Sequence, residues 1–374
     1  MGNGLTRFAA LTRKQSALVL VCLGASVACT LAIAPRQTLI PQSYDATKAD
    51  TADLALYKHT VQRVHNGENY YSALGGVLRS ARRPTRSVLN WRTPLHLTLV
   101  ALLPDLIWSR VILAALGVLA LLLSFAIMTQ AEFAVLAAVQ ALLMFGPLLM
   151  CFSAEGVFFA EVWAGVLIAV SVGAYAMGLR KAGIGFALLA LFFRELALPY
   201  VLVCLWLAWR DKKRPEVMAL TIGIAAYFVY FAAHVLKVGS LLTSADLANP
   251  AGWMQFGGVA FLLRASCVGW LMILPPWVTA VYLPVSVLGL AGWTQPIGQR
   301  VALTVGLYLA AFSVVGHFVN LYWGALYTPL LSFGAVFGGV AIYELIQSVL
   351  RKPADASVAA PGRSGSLVAL TARD

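Results

Sequence analysis

Asp53 is a carboxylate in the middle of an apolar helical stripe, a costly position unless the group has a partner or a task. Residues 48–65 read KADTADLALYKHTVQRVH. At 100° per residue, Asp53, Tyr57, Thr60, Val61 and Val64 share one face, and Lys58, His59, Gln62 and Arg63 share the other. This pattern predicts an amphipathic helix suited to lying on a membrane surface. A turn signal, Asn66-Gly67-Glu68-Asn69, leads to the pair Tyr70-Tyr71 and then to Arg79, Arg82, Arg83 and Arg86. Asn90-Trp91-Arg92-Thr93-Pro94 follows. A guanidinium beside an indole at an interface serves as an anchor or as a bidentate phosphate ligand, and both readings stay open for Arg92. Arg194-Glu195 interrupts an apolar run, either as a mutually neutralised pair or as a substrate contact. Glu161 faces a cavity or bonds a neighbouring helix. His317 is a satisfied helix-end residue or a helper in chemistry.

The rest of the chain exists to position these groups. Of 374 residues, 60% are hydrophobic and 11% charged. A soluble domain of this size carries about 25% charged residues, so most of the surface must meet lipid. The formal net charge of +12 fits basic residues collecting at membrane faces. No polar domain carries basic blocks interleaved with aromatics, which excludes a nucleic-acid reading. The five cysteines show no CxxC spacing and read as buried, inert thiols.

Apolar runs bounded by charges or turn residues predict an all-α polytopic protein of about ten crossings. They fall at 16–35, 109–128, 132–151, 157–178, 182–193, 196–209, 216–236, 270–293, 301–319 and 326–348. The first is expected to be a retained membrane helix rather than a cleaved signal. Arg180-Lys181, Arg210, Lys212-Lys213-Arg214, Arg300 and Arg351-Lys352 fall in short loops on one side, which the positive-inside rule places in the cytoplasm with both termini. A single crossing over 182–209 would bury Arg194-Glu195 near the bilayer centre, so two half-length arms are expected, with the pair at the tip. Residues 257–268 are expected to lie along the outer interface. Residues 1–350 thus form one transmembrane domain, with a long extracytoplasmic loop at 36–108. The tail 351–374 is expected to be cytoplasmic and disordered.

Asp53-x-x-x-Tyr57, a helical stretch, and Gly67-x-x-Tyr70 after a first signal-anchor helix resemble the first-loop pattern of polytopic GT-C glycosyltransferases. The polyprenyl-phosphate-dependent mannosyl- and arabinosyltransferases of bacteria are most similar. The loop holding Glu155 and Glu161, the FRELALP segment at 193–199 and the HFVNLYWG segment at 317–324 fit the same layout. The resemblance implies an inverting transfer of a sugar from a polyprenyl-phosphate donor to an envelope glycan or glycolipid, on the outer side of the bacterial cytoplasmic membrane. It implies Asp53 as general base, Arg92 and Arg194 as phosphate partners, and Tyr57, Tyr70, Glu195 and His317 as further substrate contacts. Some members carry paired acidic residues in this loop. Here Leu54 follows Asp53, so a divalent metal is unsupported and no cofactor is expected.

Two other function classes fit the composition. One is a transporter or flippase for a lipid-linked substrate, and the other is a non-catalytic envelope scaffold. No repeat relates the halves of the chain, and the polar clusters fall on one face; both favour an interfacial enzyme over alternating access.

Overall fold

The computed structural model describes residues 5–34, 46–129, 134–248, 255–316 and 320–351, with the side chains of 46–52 and 134 excepted. His317 and the tail from residue 352 onward lie outside the described residues. Among the described residues the chain is all-α.

Helix α1 (Arg13–Ile33) starts at a reciprocal capping box between Thr12 and Gln15. The loop that follows folds into α2 (Ala46–His65), α3 (Tyr70–Ser80) and α4 (Pro94–Leu102). Then come α5 (Leu106–Thr129), α6 (Ala134–Leu148), α7 (Ala160–Ala176), α8 (Arg180–Phe193), α9 (Leu198–Arg210) and α10 (Arg214–Gly239). The last four are α11 (Gly258–Ser266), α12 (Pro276–Gly292), α13 (Pro296–Val314) and α14 (Thr328–Leu350). A proline in the first turn opens α4, α9, α10, α12, α13 and α14, where its missing N–H costs nothing.

A helix occupies each of the ten predicted apolar segments. Six are long and apolar enough to cross a membrane: α1, α5, the stretch Val135–Phe152, α10, α13 and α14. Helices α7 and α12 are apolar but shorter. Outward-facing Leu122, Phe228, Val229 and Leu236 give α5 and α10 the apolar exterior that lipid requires. The molecule is therefore a helical membrane protein.

Helix α7 is the central post, buried on all sides from Ala160 to Ala174. Helix α8 returns antiparallel beside it. The chain then reverses at Arg194, whose extended backbone (φ −149°) ends α8. Arg180 at the start of α8 and Arg210 at the end of α9 line one cavity, so the two helices are arms of a hairpin with Arg194-Glu195 at its tip. Each arm spans roughly 20 Å, short of a bilayer core. Helices α12 and α14 pack closely enough that a Cβ on Gly289 would collide with the Gly334 carbonyl oxygen. Small residues at this crossing replace a hydrophobic driving force that lipid cannot supply.

The two ends of the described chain meet. Backbone N–H groups of Leu5 and Thr6 donate to the Glu344 carboxylate at 2.6 and 3.2 Å, and Ser348 donates to the Leu11 carbonyl. Not all cysteines are buried: Cys22 and Cys29 face outward from α1, while Cys151 and Cys204 lie inside.

A second sequence expectation changes. The stripe of α2 faces protein rather than lipid: Leu56, Tyr57, Thr60 and Val61 are buried. Helices α3 and α4 and the Gly156–Phe158 turn cover it. An apolar stripe at helical spacing shows that a face is hidden, not what hides it.

Candidate functional site

Four separated parts of the chain meet at the hairpin-tip end of α7, α8 and α9. The first is the stretch from Asp53 to Arg92. The second is the start of α7, the third the hairpin tip, and the fourth the Asn320–Tyr322 segment.

Arg92 is held in place by its own backbone. The Tyr70 hydroxyl donates to the Arg92 carbonyl at 2.7 Å, and the carbonyl of neighbouring Trp91 lies 3.1 Å from Nε2 of His234. Nδ1 of that histidine meets the Tyr71 hydroxyl at 3.1 Å, and Leu95 N–H donates to Tyr230. The Trp91 indole donates to Thr85 and lies against Gly75, where a Cβ would come within 2.6 Å of the ring. Helices α3 and α10 thus clamp an otherwise irregular segment. Its guanidinium points inward: Nε donates to the Tyr57 hydroxyl at 2.9 Å and Nη2 to the Tyr322 hydroxyl at 3.1 Å. Tyr322 in turn donates to Asn320 Oδ1 at 3.1 Å.

Glu161 sits in the first turn of α7, where a helix favours negative charge. Its carboxylate is 2% exposed and meets Arg194 Nε at 2.7 Å and Arg92 Nη2 at 3.6 Å. Arg194 also pairs with Glu195, and Tyr308 of α13 steadies the tip by donating to the Leu196 carbonyl. Phe159 packs between Tyr57 and Tyr322 and closes the apolar side of the cluster.

Asp53 lies at the open edge. Its side chain is 26% exposed and accepts from Arg83 Nη2 at 2.8 Å. Burial raises its carboxyl above the ordinary aspartate value; Arg83 and Arg92 oppose this and Glu161 adds to it. A carboxyl poised in this way accepts a proton at neutral pH more readily than an ordinary surface aspartate. Arg83 comes from a loop fixed at its other end by Asp246. That carboxylate accepts from Arg79 Nε at 2.9 Å, Thr85 Oγ1 at 2.6 Å and Thr243 N–H at 2.7 Å. These donors hold its carboxyl well below the usual range. Backbone N–H groups of Thr85 and Arg86 also donate to the Leu247 carbonyl.

Of the residues singled out from sequence, the fold brings together Asp53, Tyr57, Arg92, Arg194 and Glu195. Tyr70 touches the Arg92 backbone and acts as a strut. His317 lies outside the described residues. Sequence reading did not assign Arg83, Tyr322 or Asn320 to the cluster, nor Asp246 to its support. Arg83 stood among four similar arginines, and Tyr322-Trp323 has the composition of an interfacial belt. Among the described residues, no three His, Cys, Asp or Glu side chains gather as a metal site.

No family model, curated protein or solved structure matches the chain.

Proposed function

We propose that this protein is an inverting membrane glycosyltransferase that takes a sugar from a polyprenyl-phosphate donor and passes it to an envelope glycan or glycolipid. The observation that supports this reading is the convergence of Asp53, Arg92, Glu161 and Arg194, from distant parts of the chain, at one end of an apolar bundle. In the proposed topology the ten apolar helices of the bundle cross or enter the bacterial cytoplasmic membrane, the basic loops and both termini are cytoplasmic, and the cluster faces outward. A polyprenyl chain then lies in lipid while its phosphate reaches the cluster.

The acceptor hydroxyl gives its proton to Asp53 as its oxygen attacks the anomeric carbon. The bond from that carbon to the phosphate oxygen breaks, and the phosphate leaves with the electron pair. Attack opposite the leaving group inverts the configuration. Arg83, Arg92 and Arg194 balance Asp53, Glu161 and Glu195 in formal charge, so the resting cluster is neutral. Protonation of Asp53 releases Arg83 to meet the phosphate as its charge develops. Arg92, 15% exposed against 4% for Arg194, is the nearer of the two buried cations to the open edge. Arg194 orients Glu161, which orients Arg92.

Asp53→Asn tests the chemistry. In a deletion strain complemented with this variant, the sugar transferred to envelope glycans or glycolipids, read by mass spectrometry, should fall at least about 100-fold. Expression and thermal unfolding should match the parent. Undiminished product removes Asp53 as the base. An envelope profile unchanged by the deletion itself overturns the transferase reading and favours a scaffold held by the buried Arg194–Glu161 clamp.

A further inference from the structure

A second polar centre lies at the opposite end of the same helices. Helix α7 runs from Glu161 down to Tyr175, and at about 1.5 Å per residue its 17 residues separate the two ends by roughly 25 Å. Here the turns after α7, α9 and α12 border an open cavity of about 420 Å³. Arg180, Arg210, Lys213 and Arg300 line it, together with Asp211 and the first residues of α13.

The four cations are not equivalent. Arg180 faces Glu216 at 3.4 Å, while Arg210 and Lys213 share Asp211 at 2.8 and 3.2 Å. Arg300 has no carboxylate partner among the described residues, although it is only 8% exposed. Its guanidinium stacks 3.7 Å from the Tyr175 ring centroid and donates through Nη1 to Cys204 Sγ at 2.9 Å. Four cations against Asp211 and Glu216 leave a net charge of +2 around the cavity. Helix α13 adds the positive end of its dipole, because no side chain caps it. A buried arginine without an anion is costly, and the natural complement is a ligand carrying two negative charges.

We propose that this cavity is an anion site for a phosphate group, with Arg300 as its buried anchor. The group is borne either by an anionic phospholipid headgroup or by a soluble phosphate compound. The site is independent of the transferase reading: it shares no side chain with the Asp53 cluster and sits at the other end of the bundle.

The test uses the purified full-length protein. In one arm, inorganic phosphate is titrated against delipidated protein at constant ionic strength, with thermal unfolding as the readout and chloride as the control. In the other, native mass spectrometry compares retention of phosphatidylglycerol with that of phosphatidylcholine. A shift with phosphate and no lipid preference identifies a soluble ligand. At least tenfold preferential retention of phosphatidylglycerol identifies a headgroup. In either case Arg300→Gln should weaken binding at least tenfold, and Lys213→Gln, on the cavity rim, several-fold. No response in either arm, or equal binding by the parent and both variants, overturns the site. If Arg300→Gln fails to fold, the parent and Lys213→Gln still decide it.

Discussion

The two ends of the bundle hold arginine in opposite ways. At the hairpin tip, Arg194 lies against two carboxylates, and its neighbour Arg92 against one of them. At the other end, Arg300 is almost as deeply buried yet meets a tyrosine ring and a thiol. The first arrangement closes its own electrostatics and fixes geometry. The second leaves charge uncompensated among the described residues and so calls for something from outside. Burial alone does not tell a structural cation from a binding one; the partner does.

The sharpest way to break this contrast is to replace each arginine by methionine. Arg194→Met leaves Glu161 buried with only the longer Arg92 contact, and should cost about 3 kcal/mol or more in thermal or denaturant unfolding. Arg300→Met removes a charge that no carboxylate among the described residues answers. It should leave stability within about 1 kcal/mol of the parent when phosphate and anionic lipid are absent. Equal losses for the two variants would erase the distinction.

A smaller effect sharpens the hairpin-tip end. Arg83 lowers the Asp53 carboxyl, so Arg83→Gln should raise it further. A base must be deprotonated to act, so the acidic limb of the pH–rate profile for sugar transfer should move to higher pH. Stability should change by less than about 1 kcal/mol, because the pair is partly exposed. The smallest effect concerns the support. Asp246 is depressed below its ordinary value of 3.8, so its contribution to stability is complete above that pH and is lost as pH falls below it. Unfolding temperature should therefore drop less steeply between pH 4 and pH 2 in Asp246→Asn than in the parent.

Much of this architecture was legible in the chain. The apolar runs located ten helices, and the charged pair Arg194-Glu195 argued for a hairpin because one crossing would have buried it. The 3.6-residue period of 48–65 located α2, with Asp53 on its hidden face. That the hidden face meets α3, α4 and the turn before α7 was not legible, since lipid and protein select the same apolar residues. Asp246 escaped notice for another reason. It lies in a short polar loop far in sequence from what it touches, meeting Arg79 and Thr85 across more than 160 residues.

The sequence by itself determined the solvent this chain folds in, the helices it forms and the few places where charge must be accounted for. Those properties follow from local composition, because a bilayer leaves an exposed backbone almost no alternative to the helix. Only the tertiary structure decided which charges answer one another. It paired Glu161 with two arginines, set Asp53 at an open edge beside Arg83, and left Arg300 among neutral groups. Such pairings rest on contacts between residues tens to hundreds of positions apart, and no local pattern encodes them.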